Sequence, residues 1–161
     1  VAPALVMFEW AMKGMGKWGW IAAFIYCVGA ALRLARFNTN IEVVDKRFFQ
    51  GLPSPAAAAL IAGFVWVLMD LNYAGEEVRW YAWALTIFAG VTMVSNFRYY
   101  SGKDINLRRS VPFIAVLAIV LFFVLVSSYP PGILFALFLC YAFSGYAMAA
   151  WGWIRRRKTP A

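Results

Sequence analysis

Five long apolar runs, at 18–37, 55–72, 80–98, 111–128 and 132–154, follow one another with only short polar links between them. This feature constrains the chain most. A helix rises about 1.5 Å per residue, so about 20 residues cross a hydrocarbon core about 30 Å thick. Each run is close to that length. In lipid a backbone must pair its own polar groups, which excludes open sheet edges and leaves helices. Composition agrees: the chain is 64% hydrophobic and 14% charged, where soluble domains are roughly half apolar and a quarter charged. The expected fold is all-α, a polytopic transmembrane helix bundle forming one membrane domain over 1–161. It has five full spans plus the second half of one more at 1–12, and 155–161 form a basic tail.

The links carry the punctuation that such a bundle needs. "MKGMGK" separates the first two spans, "NYAGEE" closes the third and "SSYPPG" turns the last hairpin. Ser54 is placed to cap the third span, with Pro55 in its first turn, where a missing N–H costs nothing. Ser110 and Pro112 open the next-to-last span. Trp18, Trp20, Trp80, Trp83, Tyr99, Tyr100, Trp151 and Trp153 lie near span ends, where amphipathic rings favour the interface.

Charge sets the orientation. On alternate sides the Lys and Arg residues divide three (Lys13, Lys17, Arg79) against twelve, the twelve including Arg33, Arg36, Lys46, Arg47, Arg98, Lys103, Arg108, Arg109 and the "RRRK" at 155–158. By the positive-inside rule the richer side is cytoplasmic. The net charge of +8 is thereby accounted for without nucleic acid as a partner. Cys27 and Cys140 lie in separate apolar runs and read as small core residues. The chain has no histidine, which removes the commonest general base and metal ligand. Glu9 has Lys13 four residues on as a local partner, and no carboxylates stand at metal-binding spacing. Ser144 in "SGY" has no base beside it and is not a nucleophile.

Two elements point to chemistry. In "GALRLARFNTN", Arg33 and Arg36 are three apart and share one helix face, with small residues before them and Asn38 and Asn40 after. Snorkelling to the headgroups is the plain alternative for both arginines. In "FQGLPSPAAAA", Gly51 allows a turn barred to other residues, Pro53 and Pro55 stiffen the approach, and Ser54 offers a hydroxyl beside a helix amino end. A rigid re-entry turn with a helix cap is the plain alternative there. Together the two elements suit an anion-binding pocket, with Arg33, Arg36, Asn38, Gly51 and Ser54 as candidate residues.

"VAPALV", "GALRLARFN" and "FQGLPSPAAAA", in that order and spacing, resemble the serine-using branch of the CDP-alcohol phosphatidyltransferase family, most closely over 1–60. The resemblance implies that the hydroxyl of L-serine attacks the phosphatidyl phosphorus of CDP-diacylglycerol, giving phosphatidylserine and CMP. It also implies Mg2+ or Mn2+ on the diphosphate, a homodimer, and a bacterial cytoplasmic membrane with the 33–54 site and the C-terminus cytoplasmic. The family's signature, D-G-x-x-A-R, eight residues, G-x-x-x-D-x-x-x-D, supplies its metal ligands and base, and this chain has no such pattern. The expectation is a C-terminal portion beginning just after those carboxylates, holding neither catalytic residue nor metal ligand and inactive alone. Competing readings are a relative using another alcohol and a non-catalytic membrane protein, such as a transporter segment or an assembly subunit.

Overall fold

The computed structural model describes residues 1–39, 48–96, 98–100 and 113–157. Asn40, Lys46, Arg47, Lys103, Arg108, Arg109, the 110–112 start of a span and the last four residues lie outside the described residues. The helices are α1 (Ala2–Met7), α2 (Lys17–Thr39), α3 (Ser54–Asp70), α4 (Arg79–Val94), α5 (Phe113–Ser128) and α6 (Pro130–Arg157). The expected half span at 1–12 is not one straight helix. After Met7 it widens into a π turn over Phe8–Met12 and tightens into a 3-10 turn over Lys13–Met15. Gly16, with φ +55°, then reverses the chain into α2.

Two helical stretches, Lys17–Thr39 and Pro130–Met148, are long and apolar enough to cross a membrane. The other three expected spans are shorter helices, α3 with 17 residues and α4 and α5 with 16 each, so five full spans are not seen. Specific end signals cut two of them short. Asn72 takes a left-handed conformation, φ 59°, and its N–H reaches Met69 O at 3.1 Å while Tyr73 N–H reaches Leu68 O at 2.9 Å. That is a Schellman ending with asparagine in the usual glycine place. At the end of α4, Ser95 leaves helical geometry and its hydroxyl donates to Thr92 O at 2.7 Å.

Small residues set the packing. α2 lies mainly against α4 and α3 mainly against α6. A Cβ on Gly29 would sit 2.5 Å from Gly90 O, and one on Gly90 would sit 3.0 Å from the Tyr26 Cα, so α2 and α4 cross backbone to backbone. Gly63 of α3 faces Phe135 of α6, where an added Cβ would sit 3.3 Å from the Phe135 Cα, and the rings of Phe64 and Phe135 lie tilted with centroids 5.9 Å apart. The core is correspondingly made of Ala4, Met7, Ala22, Ala57, Leu60, Ile61, Ala89 and Met93. α5 is different: it packs on α6, and its large side chains from Phe113 to Leu125 are exposed.

One element was not legible in the sequence. Phe48–Gln50 (β1) and Arg98–Tyr100 (β2) pair antiparallel, with Phe48 opposite Tyr100 and Gln50 opposite Arg98. This short ribbon ties the chain entering α3 to the chain leaving α4, at the end where α2 presents its arginines.

Candidate functional site

Arg33 is half-buried near the end of α2, and its Nη1 donates to Ser54 Oγ at 2.8 Å across 21 residues of chain. Ser54 therefore does not cap α3 as the sequence suggested. Pro53 is the N-cap residue, no side chain caps the helix, and the first helical bond runs from Ala57 N–H to Pro53 O. An arginine from the neighbouring helix has taken the hydroxyl oxygen. Accepting that bond leaves the Ser54 O–H free to donate. Arg33 Nε is buried with no partner among the described residues, and Tyr141 of α6 lies close enough to interact electrostatically.

Arg36 turns elsewhere. Its Nη1 donates to Val94 O at 3.1 Å and to Asn96 Oδ1 at 2.9 Å. Val94 is the last residue of α4, so a guanidinium satisfies a carbonyl that the helix leaves orphaned, at the end where its dipole favours a cation. The two arginines thus share a helix face but have different partners. Asn38 is exposed at the end of α2.

Gly51 is a hinge. Its φ is +77°, and a Cβ there would run into the Met93 carbonyl. The next residue locks the turn down, with Leu52 N–H donating to Thr92 O at 3.1 Å. The Thr92 hydroxyl pairs with Tyr146 OH of α6 at 2.7 Å. Thr92 is therefore the node that joins α4, α6 and the Gly51–Ser54 strap. Sequence reading missed Thr92, Asn96, Tyr141 and Tyr146. A threonine or tyrosine inside an apolar run looks like filler until the helix opposite is known.

The described carboxylates Glu9, Asp70, Glu76 and Glu77 all belong to the opposite end of the bundle, where Gly75 is packed on Trp10 of the π turn. There Lys13 and Glu9 form an exposed ion pair at 2.8 Å. The Glu9 carboxylate, by hydrogen bond and by charge, holds the Lys13 ammonium above the usual lysine range. Among the described residues no three His, Cys, Asp or Glu side chains come together as a metal site. At the arginine end a buried guanidinium N–H, a serine hydroxyl and an uncapped helix amino end lie together without a nearby described carboxylate. Donors of these kinds suit an anion.

Over 109 residues the chain is 33% identical to a CDP-diacylglycerol–serine O-phosphatidyltransferase of Helicobacter pylori, covering 66% of this chain and 45% of that protein. The enzyme of the same name from Methanocaldococcus jannaschii is 32% identical over 99 residues, 62% of this chain and 42% of its own. The Mycobacterium leprae enzyme is 31% identical over 86 residues, 50% and 28%.

The chain is a partial match to the CDP-diacylglycerol–serine O-phosphatidyltransferases.

It spans less than half the length of these phosphatidyltransferases. No protein-family model matches it.

Proposed function

We propose that this chain is the C-terminal portion of a membrane phosphatidyltransferase that makes phosphatidylserine and CMP from CDP-diacylglycerol and L-serine. In that reaction the serine oxygen forms a bond to the phosphatidyl phosphorus, the bond from that phosphorus to CMP breaks, and the serine hydroxyl proton passes to a base. The names of the relatives support the reaction class. The observation that carries the role of this chain is the Arg33–Ser54 contact, with a buried Nε that has no partner among the described residues, beside the uncapped amino end of α3.

Arg33, Ser54 and the α3 amides hold an anionic group of a substrate, either a phosphate or the serine carboxylate. Phosphoryl transfer spreads negative charge over its transition state, so fixed donors aimed there lower the barrier. Arg36 and Asn38 edge the same region, and Gly51 shapes its strap. The arginine end faces the cytoplasm, following the three-against-twelve split of basic residues. Mg2+ or Mn2+, held by carboxylates of the D-G-x-x-A-R signature, belongs to the intact enzyme, which acts as a homodimer. Lacking that signature, this chain alone has no turnover.

The test is an assay of the intact transferase with CDP-diacylglycerol and a panel of alcohols. Phosphatidylserine formation lost on Arg33→Ala and kept on Arg79→Ala supports the reading. Activity with choline or glycerol phosphate in place of serine would move it to another branch, and turnover by neither would leave a non-catalytic membrane protein.

A further inference from the structure

Between α2 and α4 a groove of about 440 Å³ opens on the outside of the bundle. Phe24, Val28 and Leu32 form one wall, Gly90, Val91 and Val94 the other. Its floor is the Gly29–Gly90 crossing, where the two backbones touch. The walls are open to the surroundings: Phe24 is 68% exposed and Val91 54%. Residues 24, 28 and 32 are spaced by four, and the next position in that row is Arg36. From Phe24 to Arg36 the row runs about 18 Å at about 1.5 Å per residue.

An apolar trough along Phe24–Leu32, with a cation one helical turn beyond it that bonds the carbonyl of the wall residue Val94, has the form of an amphiphile's imprint. Arg36 uses Nη1 for both of its bonds, which leaves Nε and Nη2 without a hydrogen-bond partner among the described residues. The described carboxylates are at the opposite end of the bundle, so none competes for them. A volume near 440 Å³ is that of a small-ligand site. It suits one narrow chain better than a helix about 10–12 Å across.

We propose that this groove holds one resident phospholipid of the bilayer, an acyl chain lying along Phe24–Leu32 and the phosphate on Arg36. Arg36 has different partners from Arg33, and the groove runs along α2 away from the Arg33–Ser54 contact, so the proposal does not depend on the transferase reading. The bound lipid fills the seam between α2 and α4 without reacting.

The full chain, delipidated in maltoside detergent, is titrated with spin-labelled phosphatidylglycerol and, in parallel, with spin-labelled diacylglycerol. An immobilised component is expected for phosphatidylglycerol, with diacylglycerol about fivefold weaker for want of the phosphate. Arg36→Gln brings phosphatidylglycerol down to the diacylglycerol level. Val91→Trp fills the trough and abolishes the component, while Leu117→Trp, the same bulk on exposed α5, leaves it unchanged. If Val91→Trp does not fold, Phe24→Ala decides, because losing a wall must weaken binding. No immobilised component, or one indifferent to Val91→Trp and Phe24→Ala, overturns the proposal. So does displacement by CDP-diacylglycerol at stoichiometric concentration, which would give the groove to a reacting lipid.

Discussion

The two ends of the bundle treat their charges differently. At one end Lys13 pairs with Glu9 four residues away, both side chains exposed. Beside them Trp18, Trp80 and Trp83 cluster edge to face, and Trp83 Nε1 donates to Trp18 O at 3.0 Å. At the other end Arg33 and Arg36 are half-buried and reach partners 21, 58 and 60 residues away. A local exposed pair adds little to stability and commits its charges to each other. Long-range, half-buried cations with no carboxylate partner among the described residues retain bonding capacity for something else. On the reading proposed above, the difference separates an interface anchor from an anion site.

The comparison breaks most directly at Arg33. In the intact transferase Arg33→Ala should lower kcat/KM about a hundredfold, the usual scale for losing a donor aimed at developing charge. Arg79→Ala, a cation at the opposite end, should leave it unchanged. Equal, mild losses would return Arg33 to a snorkelling role. The next largest effect is on the strap. Gly51→Ala forces a Cβ into a left-handed turn against the Met93 carbonyl and should cost roughly 1–3 kcal/mol of stability, read from thermal melting in detergent.

Tyr146→Phe keeps the ring stacked on Phe88 but removes the hydroxyl that meets Thr92. About 1 kcal/mol should be lost, and Thr92→Val should add little in the double variant, because the two hydroxyls form one bond. Additive losses would show that they act separately. Smallest of all, Glu9→Gln should leave Tm unchanged, since the pair is exposed. A clear drop in Tm would mean that the two ends are less different than their geometry implies.

Much of this was legible in the residues. The apolar runs located the helices, Pro55 began α3 close to where it was expected, and Asn72 within "NYAGEE" ended it. Lys13 and Glu9 were readable as a pair because i and i+4 meet on any helix. Ser54 was misread as a cap. A serine before an alanine-rich helix has that use by default, and only the approach of α2 gives its oxygen another partner. The ribbon was missed because three-residue strands carry no periodicity to detect.

By itself the sequence determined that this chain forms apolar helices, and in what order. These follow from local propensity and from the cost of placing polar groups in lipid, which act residue by residue. Only the tertiary structure decided that Arg33 turns to the amino end of α3 while Arg36 turns to the carboxyl end of α4. Three-residue spacing puts both on one face, but their targets depend on how α2 crosses its neighbours. Gly29 and Gly90 set the α2–α4 crossing by letting two backbones touch, a condition met by residues 61 apart that no local rule connects.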